Sequence, residues 1–141
     1  MRVSRTLRII LASIVAVILA AAIVVGLTWP RIHAWAIGRH QRSVTKSLAE
    51  WGREYATITN DASAVAAAGV VGYMSTYYVP GPGYHGPMDV ETALEAQRRA
   101  SIARVAEALE RYTGLAYGTN VQRWKEWAED QKKKLSNATQ L

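Results

Sequence analysis

From Ile9 to Trp29 the chain carries no charged residue, and only Ser13, Gly26 and Thr28 interrupt a run of Ile, Leu, Val and Ala closed by tryptophan. A bilayer core takes about 20 apolar residues at ~1.5 Å of helical rise each. The pattern therefore predicts one transmembrane helix over 9–29, a conformation that satisfies its own backbone polar groups in lipid. Trp29 and Trp35 suit the headgroup belt at its far end, and Pro30 predicts a break just beyond it. The triplet Ala34-Trp35-Ala36 has the small-x-small form of a signal-peptide cleavage site. The apolar run, however, exceeds the ~7–15 residues of a signal peptide's hydrophobic region, so an anchor is expected. Inside it, Ala12, Ala16 and Ala20 form a ridge of small residues. Such a ridge lets a partner helix approach closely in a membrane.

Beyond the anchor the period changes. Val44, Leu48, Trp51, Tyr55 and Ile58 recur at spacings of three and four and predict a juxtamembrane amphipathic helix over 30–58, bent near Gly38. Gly52 weakens it relative to alanine. Asn60 or Asp61 caps a second helix from Ala62 to Tyr77, where Ala64, Ala68 and Gly72 form another small ridge. Its strongly apolar part is too short for a second span and reads as a core helix. Tyr77 is followed by a Tyr/Pro/Gly loop over 78–88, where Pro80, Pro82 and Pro87 forbid regular structure. Asp89 is the expected cap of a third helix, Val90–Tyr112, with Leu94, Ile102, Val105, Leu109 and Tyr112 inward and Glu95–Arg99 and Glu107–Arg111 paired along it. Gly114 ends that helix in the left-handed conformation. Thr119 and Gln122 form a capping-box pattern before a fourth helix, 120–135, with Trp124 and Trp127 inward. The expected organisation is a basic tail (1–8), a transmembrane helix (9–29), a juxtamembrane helix (30–58) and a small all-α domain (59–141). Trp51, Leu94, Leu109, Trp124 and Trp127 are the candidate core.

Charge is segmented along this frame. The whole chain carries +6, with Arg2, Arg5 and Arg8 before the anchor. Residues 31–53 are net basic, 54–130 are net acidic, and Lys132, Lys133 and Lys134 follow. Arg31, Arg39, Arg42 and Lys46 are candidates to meet lipid headgroups. The slight excess of positive charge before the anchor predicts a cytoplasmic N-terminus and an outer domain, periplasmic in a bacterial inner membrane. Basic residues placed at the bilayer and at the C-terminus do not make a stripe for nucleic acid, which is not an expected partner.

There is no cysteine, which excludes disulfides, thiolate metal sites and a thiol nucleophile. His33 and His40 lie on one helix face, where a haem or chlorophyll ligand would need partners from a second anchored helix. His85 lies within reach of Asp89, but no Ser or Thr elbow accompanies it. Glu126, Glu129 and Asp130 sit among lysines and read as a solvated face. No phosphate-binding glycine motif occurs. No catalytic, cofactor or metal site is expected. Asn137-Ala-Thr139 matches a glycosylation sequon. Tyr73, Tyr77, Tyr78, Tyr84 and His85 offer flat amphipathic area and are the candidate protein interface.

The segment 111–127 places a helix ending at Thr113-Gly114, a turn with Gly118, and a helix carrying Trp124 and Trp127. It resembles the closing helical element of bacterial HEAT-repeat-type proteins, although that pattern has phenylalanine where Ala116 and Tyr117 stand. The resemblance implies helical hairpins and a protein-interaction surface without catalysis. The expected role is an accessory subunit of a larger membrane complex, of the respiratory or photosynthetic kind, with lipid and neighbouring subunits as partners. The alternative is a free-standing anchored adaptor or assembly factor that binds a soluble protein.

Overall fold

The computed structural model describes residues 5–138. It contains four helices: α1 (Arg5–Glu54), α2 (Asp61–Thr76), α3 (Met88–Thr113) and α4 (Val121–Ala138). No strand occurs among the described residues. Arg2 of the basic tail and Thr139 of the sequon lie outside them.

α1 is one helix of 50 residues with Pro30 inside it, about 75 Å long. The expected break at Pro30 does not occur. A proline removes one helical N–H and disfavours the interior of a helix by ~3 kcal/mol. Here long helical stretches continue on both sides, and the C-terminal one is held by packing on α3. Thr28 Oγ1 donates to the Val24 carbonyl at 2.8 Å just before the proline. The apolar residues from Ile9 to Leu27 are exposed, and α1 is long and apolar enough to cross a membrane. It ends at Glu54, short of Ile58, where Thr57 N–H bonds the Glu54 carbonyl at 3.3 Å and closes the last turn.

Caps set the other boundaries. Asn60 Oδ1 accepts from Ser63 N–H at 2.8 Å, and Ser63 Oγ accepts from Asn60 N–H at 3.0 Å, a reciprocal pair that starts α2. α3 begins earlier than expected, with Pro87 as its cap; Asp89 and Glu91 lie in its first turn, where acids complement the helix dipole. It ends at Gly114, whose φ of 74° is left-handed as expected. Asn120, not Thr119, starts α4: its Oδ1 accepts from Arg123 N–H at 3.1 Å. Gln122 bonds Glu126 instead.

α1 packs on α3, α3 on α2, and α2 on α4. α1 and α3 are parallel, since Gly38 meets Pro87, Gln41 meets Glu91 and Leu48 meets Ser101. α2 runs antiparallel to α3, with Asp61 beside Tyr112 and Met74 beside Arg98. The core gathers Val44 and Leu48 of α1, Ala64, Ala68, Val71 and Met74 of α2, Leu94, Val105 and Leu109 of α3, and Trp124 of α4. The apolar α2 segment is thus a core helix. Trp51 and Trp127, expected inside, sit partly buried at the rim. Tyr112 is exposed, because its hydroxyl reaches out to Asp61 Oδ1 at 2.8 Å.

Gly52 proves to be a crossing point. A Cβ there would stand 2.8 Å from Ser101 Oγ and 3.0 Å from Ser101 Cα, and that hydroxyl donates to the Leu48 carbonyl at 2.7 Å. Gly52→Ala gains ~1 kcal/mol of helix propensity but forces α1 and α3 apart, and overpacking costs about 1–3 kcal/mol. A net destabilisation is expected in chemical unfolding followed by tryptophan fluorescence. A stabilised variant would contradict the close crossing.

Candidate interaction surface

The Tyr/Pro/Gly loop joins α2 to α3 and is held at both ends. Gly81, Pro82, Gly83 and Tyr84 form a turn closed by Tyr84 N–H to the Gly81 carbonyl at 2.9 Å. Proline second and glycine third, with Gly83 at φ 77°, is the residue order of a type II turn. At the α2 end, Tyr78 adopts φ 48°, uncommon for a bulky residue. Arg98 of α3 holds it there. Its side chain is buried, and it donates to the carbonyls of Met74 (2.5 Å), Tyr77 (2.7 Å) and Tyr78 (3.3 Å). One guanidinium fork thereby satisfies carbonyls in the last turn of α2, at its cap and just beyond, and places a positive charge at that helix's negative end. Glu95 pairs with Arg98 at 3.1 Å, not with Arg99 as expected, because Arg98 turns inward. The Glu107–Arg111 pair forms at 2.6 Å as expected.

At the α3 end, Glu91 is the clasp. Its Oε1 accepts from Gly86 N–H at 2.7 Å and from Gln41 Nε2 of α1 at 3.2 Å, and His85 Nδ1 lies 3.3 Å away. Histidine 85 therefore meets Glu91, not Asp89. Partial burial pushes the Glu91 carboxyl up, but the bonds from Gln41, Gly86 and His85, with the His85 charge, together hold its pKa below the usual 4.5. A lowered folded pKa means the clasp's contribution is full above about 4.5 and is lost as pH falls through the lower folded value. Protection of the Gly86 amide, measured as its exchange rate relative to the intrinsic rate at each pH, is accordingly expected to fall below about pH 4.5 in the native chain and not in Glu91→Gln. Equal pH dependence in both would remove Glu91 from the role.

The tyrosines do not scatter. Trp51 of α1, Tyr73 of α2, Tyr77 at the C-cap of α2, Tyr78, and His40 of α1 form a chain of ring contacts with centroids 4.6–5.5 Å apart. Tyr84 extends it toward His40 at 6.5 Å. Tyr73 and Tyr78 are exposed, whereas Tyr77 and Tyr84 are half-buried. Burial, then neighbouring tyrosines, raises the pKa of Tyr77 and of Tyr84, so both hydroxyls stay neutral. The strip is an amphipathic surface able to hold a protein face by stacking and by hydroxyl hydrogen bonds.

The remaining candidates lie on α1. Arg31, Arg39, Arg42 and Lys46 are exposed, and among the described residues none has an ion-pair partner. The Arg39 guanidinium lies 5.9 Å over the Trp35 ring. Ala12 and Ala16 line a shallow, mostly apolar hollow with Arg8, Leu11, Val15 and Leu19, and Ala20 is exposed. His33 is exposed and His40 is taken up by the aromatic strip. Among the described residues no group of three or more His, Asp or Glu is placed to hold a metal ion. Glu129 and Asp130 pair with Lys132 and Lys134.

Sequence reasoning missed Arg98 and Glu91. Arg98 stands four residues after Leu94 and four before Ile102, on the buried stripe of α3, and that position was the available signal. Glu91 carried none, since its partners lie on another helix and in the loop. No protein-family model, curated protein or solved structure matches the chain.

Proposed function

We propose that this protein is a non-catalytic accessory subunit of a larger membrane protein complex, anchored by α1 with its N-terminus cytoplasmic and its helical domain on the outer face. One observation carries the reading. α1 is a single helix whose first half is apolar on every side and whose second half is a wall of the bundle. A neighbour packed on the apolar half, along the Ala12–Ala16 hollow, is thereby held at a fixed position relative to the domain. The aromatic strip then offers a second contact to the same neighbour. One long apolar helix among the described residues suits a structural subunit of a respiratory or photosynthetic assembly.

The test is native purification through a C-terminal tag in mild detergent, with mass spectrometry of what stays bound through size exclusion. Stoichiometric membrane proteins are expected. A lone monomer would reject the subunit role.

One observation favours a second reading. Among the described residues α1 contributes buried side chains only from Ile37 onward, so the bundle closes without the apolar half. That suits an anchored adaptor that binds a soluble protein transiently. A fragment starting at Ala36 that stays folded in water, together with a lone monomer above, would select it.

A further inference from the structure

The end of the domain nearest the apolar half of α1 carries apolar side chains that the bundle does not use. α3 runs parallel to α1 and away from that half. Helical Cβ atoms tilt toward the helix N-terminus, so side chains on both helices lean back toward it. Met88, the first residue of α3, is 84% exposed, and Val79 is 54% exposed. With Pro80 they line one shallow hollow. On α1 the same end shows Ile32 and Trp35 exposed, together with the unpaired Arg31, Arg39 and Arg42.

The continuity of α1 sets the height of this end. With Trp29 at the edge of the hydrocarbon, the Trp35 backbone lies about 9 Å further out, just beyond a headgroup layer about 5–7 Å deep, and its side chain leans back toward that layer. Gly38, against which the Pro87 ring packs, is only about 4.5 Å beyond Trp35. An ordinary span tilt of about 20° toward α3 lowers Met88 further. Arginine and tryptophan are the residues that suit this layer, the one for phosphates and the other for its amphipathic depth. Glu91, Thr92, Glu95 and Arg99 line the same hollow, and both carboxylates already have partners, Glu91 within the clasp and Glu95 on Arg98.

We infer that this end of the domain rests on the lipid headgroup layer, with Met88 and Val79 reaching into the interface and Arg31 and Arg39, the latter over Trp35, meeting lipid phosphates. The inference rests on reading α1 as a membrane span. It adds a second lipid contact, made by the loop and α3, to the span itself.

The chain has no cysteine, so Met88→Cys, Leu19→Cys and Glu107→Cys each provide one site for an environment-sensitive nitrobenzoxadiazole dye. All three positions are exposed. The full chain is reconstituted in vesicles of equimolar phosphatidylcholine and phosphatidylglycerol, with spin-labelled lipid as quencher. The dye at 88 is expected to lose fluorescence to shallow spin labels, the dye at 19 to deep ones, and the dye at 107 to neither. Quenching at 19 without quenching at 88 overturns the inference and leaves the span intact. Quenching at neither overturns the span, and the inference with it. A blue-shifted dye at 88 that lipid does not quench assigns the surface to protein and also overturns it.

Discussion

Replacing Arg98 with alanine is expected to destabilise the helical domain by about 3–4 kcal/mol. The variant leaves the carbonyls of Met74, Tyr77 and Tyr78 without their donor, and each buried unsatisfied group costs about 1–3 kcal/mol. Tyr77 and Tyr78 are only partly covered, so water recovers some of that sum. The lost charge at the C-terminus of α2 adds a smaller amount. Arg98→Lys keeps the charge but not the fork, and should fall between the native chain and the alanine variant. The measurement is chemical unfolding of the full chain in detergent, followed by near-ultraviolet circular dichroism. The variant should also release Tyr78 from its left-handed backbone and loosen the ring contacts with His40. Native stability in Arg98→Ala would show that the three carbonyls find other partners.

Trp124→Ala is expected to cost about 3–5 kcal/mol, the range for a fully buried aromatic. Its ring is completely enclosed, in edge contact with Tyr117 at 4.9 Å and with Trp127 at 6.0 Å. Its Nε1–H also donates to the Gly118 carbonyl at 2.8 Å, which pins the turn before α4. Both α4 and that turn depend on it, because α4 docks mainly on α2. Trp127→Ala serves as the contrast. Its ring is partly exposed, so a smaller loss of about 1–2 kcal/mol is expected. Thermal unfolding of the two variants side by side checks the order. Equal losses would contradict the difference in burial.

The helices were legible in the sequence because local signals mark them. Asn60 and Gly114 act through neighbouring backbone, and the apolar periods of α2 and α3 show their buried faces. What the sequence hid depends on contacts between distant residues. Pro30 reads as a breaker by local rules, yet packing of the later half of α1 on α3 holds the helix through it. Gly52 reads as a weak point of one helix, and its purpose is visible only once Ser101 of another lies against it. Arg98 reads as solvent-facing because arginine usually is, and only the unfinished carbonyls of α2 account for its burial. The candidate interface residues were legible as types, but their assembly into a strip with Trp51 and His40 required α3, on which α1 and α2 both pack, to bring those residues together.

The unbroken course of α1 makes residue count an angular coordinate. Each residue inserted between Pro30 and Gly38 would turn the domain by about 100° about the helix axis and raise it by about 1.5 Å. A single insertion would change the bearing of the aromatic strip relative to Ala12 and Ala16 by that angle. Seven would restore its bearing to within about 20° while lifting the domain by about 10 Å. Helical phase and height are therefore separable by insertion length, and a neighbour that grips both halves of the helix reads the two independently.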